Sequence, residues 1–175
     1  TAILSNERYK FAAKLDKRIE KELKPLKLEL AKFKTEILRD QESKFGCDHV
    51  CFTTEINPGS GFKPLNKIAS GGELSRFLLA AKLCFFDEDS KKTQIFDEID
   101  RGVGGATASA IGKRLLELSK HEQVLVVTHS PQVAAYSDNH LKVEKVNFEK
   151  STMTKVTTLN EEKTVREIAR MLSGE

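Results

Sequence analysis

Three observations predict an α/β protein. Strand and helix patterns alternate from residue 70 onward, VLVVT at 124–128 is an unbroken apolar run of strand length, and the helical stretches carry apolar residues on one side. A continuous apolar strand is the pattern of one buried on both faces, so 124–128 is expected to be a central parallel strand of a layered sheet.

The elements follow in order. Residues 5–23 are predicted helical, with Ser5 and Asn6 as caps and Ala12, Leu15, Ile19 and Leu23 as one stripe among charged neighbours. Pro25 ends or kinks that helix. Phe33, Thr35 and Ile37 then alternate with Lys34 and Glu36, and Val50, Phe52, Thr54 and Ile56 alternate again. A strand pair is expected, with a polar turn from Asp40 to Lys44 and then Gly46. Asn57-Pro58-Gly59-Ser60-Gly61 is a loop rich in breakers. From Ser70 a helix is expected to bury Leu74, Phe77, Leu78, Ala81 and Phe85. A charged loop (Asp87 to Lys92), a short strand ending in Ile95-Phe96, and a glycine-rich turn from Gly102 to Gly105 follow. The next helix points Ala108, Ile111, Leu115 and Leu118 inward. A short helix after Pro131, strands at Leu141–Val146 and Lys155–Leu159 and a last helix over Glu161–Leu172 complete the reading.

Composition excludes several classes. The 175 residues are 39% hydrophobic and 31% charged, a globular balance with a charge-rich surface. The net charge of +3 is too small to announce a nucleic-acid binder. The charge is uneven, since residues 1–44 carry 12 basic and 8 acidic side chains against 17 and 18 in the remainder. No apolar run reaches the roughly 18 residues of a membrane span, and the start lacks a secretory pattern, so residence in the cytoplasm is expected. Three cysteines argue against a disulfide framework, and Cys47, His49 and Cys51 lack zinc-site spacing and a second ligand pair, so they read as strand residues.

Three constellations carry chemistry. In Ser70-Gly71-Gly72-Glu73, two glycines open a helix whose unpaired N–H groups suit an anion, phosphate above all, and the Ser70 hydroxyl can join them. A capping box between Ser70 and Glu73 would account for the same residues without a ligand, though not for two consecutive glycines. In Ile95-Phe96-Asp97-Glu98-Ile99-Asp100 a strand delivers two carboxylates where α/β sheets keep ligands. Asp97 could hold Mg²⁺ through water while Glu98 orients or deprotonates an attacking water; a solvated acidic turn is the plain alternative. Val127-Thr128-His129 ends a strand in an imidazole that either donates to a γ-phosphate or is simply structural. Gly105 to Arg114 imitates a phosphate-binding P-loop but has six residues between its glycines and no Ser or Thr after Lys113, so the chain carries no Walker A motif.

Together and in this order, the three constellations resemble the C-terminal half of an ABC-type ATPase head, and Asp-Glu-Ile-Asp points to the SMC-like branch. Asn57-Pro58-Gly59, Lys63-Pro64-Leu65, IASGGELSR (68–76), FDEIDRGVGG (96–105), QVLVVTHSPQVAA (123–135) and EIARMLSG (167–174) resemble the bacterial RecN family, SMC-like ATPases of DNA double-strand-break repair and recombination. The resemblance runs from about Leu4 to Gly174. It implies that Ser70, Gly71, Gly72 and Glu73 belong to the signature motif, which binds the γ-phosphate of ATP held by an opposite subunit. It likewise implies Asp97 as the Walker B acid holding Mg²⁺, Glu98 as catalytic base and His129 as switch histidine. Asp100 with Gly102 to Gly105 would form the loop crossing the dimer interface. Residues 1–25 would be the end of a coiled-coil arm and 26–175 the C-terminal lobe of the head. The implied partners are the N-terminal half of the same head, a second head and DNA, in a cytoplasmic, nucleoid-associated protein. The family's N-terminal half, with its Walker A motif, and the short tail after Gly174 are absent from the sequence, so the chain by itself is expected neither to bind ATP tightly nor to hydrolyse it. Gln94 stands where an apolar residue is expected. The alternatives are the head of another SMC or ABC-type ATPase, or a non-catalytic dimerisation module.

Overall fold

The computed structural model describes residues 2–68, 70–85, 92–148 and 151–174. Its first helix, α1 (Ala2–Leu23), runs into a 3₁₀ turn at Lys24–Leu26 that contains Pro25. Because α1 begins at Ala2, Ser5 lies within it and is no cap: its hydroxyl donates to Asp48 Oδ2 at 2.7 Å. Leu15, Ile19 and Leu23 are built into the main core, so the inner half of α1 is part of the body.

Strands β1 (Lys32–Ser43), β2 (Gly46–Glu55) and β3 (Lys63–Pro64) form an antiparallel sheet against α1. Asp16 Oδ1 accepts from the Thr35 amide at 3.0 Å and from its hydroxyl at 2.7 Å, so α1 satisfies backbone at the edge of β1. Asp40 to Ser43 belong to the strand, and the turn shrinks to Lys44-Phe45. An irregular register between Arg39 and Ser43, with Gly46 at φ +97°, absorbs the polar residues expected to form the turn.

Helix α2 (Gly71–Cys84) buries Gly72, Arg76, Phe77, Leu79, Ala80 and Cys84, whereas Leu78 and Phe85 are exposed. The buried face is thus rotated from the expected one, because α2 packs between α1 and α3 and sets its first turn on a loop. The expected charged loop lies, apart from Lys92, outside the described residues. Strand β4 (Thr93–Asp97), helix α3 (Gly105–Ser119), strand β5 (Gln123–Val127) and helix α4 (Pro131–Ala134) follow. In α3, Ala108, Ile111, Leu115 and Leu118 all point inward as predicted. Strands β4 and β5 pair in parallel, with Asp97 opposite Val127.

That parallel pair corrects the expectation of a strand buried on both sides. It is a two-stranded sheet whose outer face holds Ile95 (70% exposed), Leu125 (45%) and Val127 (61%); only Phe96, Val124 and Val126 turn to the core. The chain ends in an antiparallel hairpin, β6 (His140–Phe148) and β7 (Ser151–Leu159), and helix α5 (Glu161–Ser173). Three small sheets flanked by helices therefore replace a single mostly parallel one among the described residues. No helix of these residues is long and apolar enough to cross a membrane.

Candidate functional site

The parallel pairing of β4 and β5 brings their C-terminal ends together, and the sequence places Asp97 and Glu98 on one and Thr128 and His129 on the other. Asp97, Glu98 and His129 are exposed. Glu98 adopts a left-handed backbone at φ +52°, unusual for a residue with a side chain. The turn after it is closed by the Arg101 amide donating to the Glu98 carbonyl at 3.0 Å, and the Glu98 carboxylate meets Arg101 Nη1 at 2.8 Å on the surface. Ile99 is fully buried and anchors the turn in the core.

Asp100 is 3% exposed, so its carboxylate works inside the chain. Its Oδ2 accepts from the Thr128 hydroxyl and from the Ser130 amide at 3.2 Å. Both residues flank His129, which ties the backbone around the imidazole to the turn after Glu98. Asp100 Oδ1 is buried and has no partner among the described residues. The surface of the loop expected to cross a dimer interface is therefore supplied by the exposed Gly102 (φ +71°), Gly104 and Gly105.

The third constellation reaches the same edge. Ser70 caps α2, its hydroxyl oxygen accepting from the Glu73 amide at 3.4 Å, so the helix-capping half of the sequence reading is present. Ser70 and Gly71 are exposed, and a Cβ on Gly71 would meet nothing within 4 Å. Gly72 faces the other way. A Cβ there would stand 3.3 Å from Arg76 Nη1, a tight approach, and in ordinary contact with the carbonyl oxygens of Glu98 at 3.4 Å and Arg101 at 3.5 Å. One edge thus gathers an exposed helix N-terminus, two exposed carboxylates and an exposed imidazole. No group of three or more metal-ligating side chains occurs among the described residues.

Sequence reasoning passed over Arg76, Thr128 and Ser130. The signal for Arg76 was a charged residue one turn after Gly72, beside the buried Phe77; Thr128 and Ser130 left none beyond flanking His129.

No family model matches the chain. It is 46% identical to the DNA repair protein RecN of Rickettsia bellii and 48% to that of Rickettsia prowazekii, each over 172 residues and 98% of this chain. The RecN of Haemophilus influenzae is 42% identical over 173 residues. The chain spans about 31% of the length of these relatives, at their C-terminal end. Among solved structures, the Smc head domain of Pyrococcus furiosus with an extended coiled coil, bound to the C-terminal domain of ScpA, superposes with a TM-score of 0.61 at 19% identity. It is covered to 39% of its length and this chain to 94%. A chain from work on ATP-driven dimerisation and DNA-stimulated activation of SMC ATPases gives 0.54 at 18% identity, with 96% of it and 95% of this chain covered. The fold is that of the SMC head.

Proposed function

Since this chain corresponds over 98% of its length to the C-terminal end of RecN proteins, we propose that it is the C-terminal lobe of an SMC-like ATPase head acting in DNA double-strand-break repair. Residues 1–25 are the end of its coiled-coil arm, whose inner half, with Leu15, Ile19 and Leu23, roots in the core of the lobe. The observation that carries the reading is the convergence at one edge: Gly72 against the Glu98 carbonyl, and Asp100 bonded to both neighbours of His129.

The roles follow from exposure and chemistry. Asp97, a single exposed carboxylate, suits Mg²⁺, a cation that keeps several waters and takes one or two carboxylates alongside substrate phosphates. Bound there, Mg²⁺ offsets charge on the phosphate oxygens. Glu98 orients or deprotonates the attacking water, and His129 donates a hydrogen bond to the γ-phosphate. Ser70, Gly71 and Gly72 direct hydroxyl and amide donors at the γ-phosphate of ATP held by a second head, with Glu73 completing the cap. Binding then joins two heads and hydrolysis releases them. Ile95, Leu125 and Val127 form an apolar face that suits the N-terminal half of the same head as cover. DNA, the cytoplasm and the nucleoid complete the proposal. By itself the lobe neither binds ATP tightly nor hydrolyses it.

In the complete protein, Glu98→Gln is expected to preserve ATP-driven head pairing and abolish turnover; normal hydrolysis would refute the role of Glu98. Ser70→Arg is expected to block pairing while nucleotide still binds to each head. Loss of that binding would return the α2 start to a plain capping box.

A further inference from the structure

Three backbone carbonyls converge on the first turns of α2. Those of Ile99 and Arg101 each lie 3.5 Å from Arg76 Nη1, and that of Glu98 packs against Gly72. Arg76 is 6% exposed, no carboxylate pairs with it among the described residues, and its Nε is buried without a partner there. Arginine does not shed its charge in proteins, and although the Glu73 carboxylate one turn earlier favours that charge, a guanidinium this buried with no carboxylate in contact is costly unless local dipoles answer it. The negative ends of the converging carbonyls are those dipoles.

We propose that Arg76 is a positioning residue: by holding the Ile99 and Arg101 carbonyls it clamps the turn that begins at Glu98, and so sets where the Glu98 carboxylate stands relative to the α2 N-terminus. The proposal deepens the function argued above and rests on Glu98 as the water-handling acid.

The turn needs such a clamp for two reasons. The left-handed backbone of Glu98 is unfavourable for a residue with a Cβ and persists only where its surroundings over-determine it. Carbonyl dipoles turned toward a common point also repel one another unless a cation lies between them. Arg76 is that cation, and it belongs to the helix whose N-terminus is the proposed γ-phosphate clamp. A shift of α2 is thereby passed to the turn through a shared guanidinium rather than through exposed side chains. Two further cations touch this loop, both from exposed positions where water replaces them far more easily: Lys27 donates to the Gly102 carbonyl at 3.2 Å, and Arg101 pairs with the Glu98 carboxylate at 2.8 Å. Lysine at position 76 would keep the charge on a shorter, differently shaped stem, and so would not carry it to the point between the two carbonyls that Nη1 occupies.

The test compares R76K, R76M and E98Q in the complete protein. Because misplacing a catalytic group by about 1 Å costs on the order of 100-fold, R76M is expected to lower kcat about 10- to 100-fold while the KM for ATP stays within about threefold. R76K is expected to recover part of that loss, and E98Q to abolish turnover. Hydrogen exchange on the same proteins is expected to speed up at the amides of Arg101 and Val103, which close this loop, and to stay unchanged in α1 and α3. R76M turning over within about twofold of the parent while E98Q is inactive would overturn the clamp and leave the functional reading intact. Normal turnover by E98Q would overturn the functional reading. Unchanged exchange at Arg101 and Val103 in R76M would overturn the clamp whatever the activities, and equal loss of protection across α1 and α3 would reduce Arg76 to an ordinary structural residue.

Discussion

The body of the molecule and its C-terminal unit are held together differently. The main core draws on α1, β1, α2, β4, α3 and α4, with Ile19, Leu23, Leu26, Leu79, Ile99 and Ile111 fully buried, and among the described residues it takes none from β6, β7 or α5. In the C-terminal unit the buried residue of α5 is Glu167. It takes a forked contact from Arg170, at 3.1, 3.0 and 2.6 Å, and a 3.0 Å ion pair from Lys142 on β6. Meanwhile Leu141, Val143, Val156, Val165 and Leu172 face outward. Apolar burial stabilises the body and a partly exposed charge cluster around the buried Glu167 stabilises the end, so the two regions should answer to different perturbations.

The largest effect is expected in the body. Ile111→Ala should lower stability in urea unfolding by about 2–5 kcal/mol, the range for emptying a packed aliphatic site; a cost below about 1 kcal/mol would break the comparison. Gly112→Ala comes next. Its Cβ would stand 2.4 Å from Tyr136 Cδ2, so α3 and the segment after α4 must part. An overpacking loss of about 1–3 kcal/mol is expected in the same measurement.

Acid should act on the other region. Hydrogen bonds from Arg170, then the Lys142 contact, hold the Glu167 carboxyl down to about 2 from its usual 4.5. A depressed carboxyl contributes stability that is full above its unfolded value and is lost as the pH falls through the folded one. Amide protection in β7 and α5 is therefore expected to fall between about pH 4.5 and 2, whereas the buried side chains that pack with Ile111 are apolar. Glu167→Gln should flatten that pH profile, and an unchanged profile would sink the charge-cluster account. The smallest effect is expected for Leu172→Ala. At 64% exposure it should cost no more than about 0.5 kcal/mol, and a larger loss would mean that α5 is covered by something else.

The sequence made part of this legible. The α3 stripe, the cap at Ser70 and the order of the three constellations could be read directly. Capping and helical periodicity depend on residues three or four apart, and motif order is a property of the chain itself. The outer face of β5 could not be read, since an apolar run looks the same whether or not a neighbour covers it. The rotated face of α2 was hidden too, because its first turn answers to residues about 25 positions away.

The sequence alone determined which groups this protein can use: a glycine-opened helix, adjacent carboxylates at a strand end and an imidazole after an apolar strand. Only the tertiary structure decided that the Asp100 carboxylate turns inward to Thr128 and Ser130, that Glu98 takes a left-handed backbone, and that Arg76 is buried against two carbonyls. The physical reason is range. A cap or a stripe is satisfied by near neighbours in the chain, whereas an interior charge is tolerable only where distant segments bring their dipoles to it.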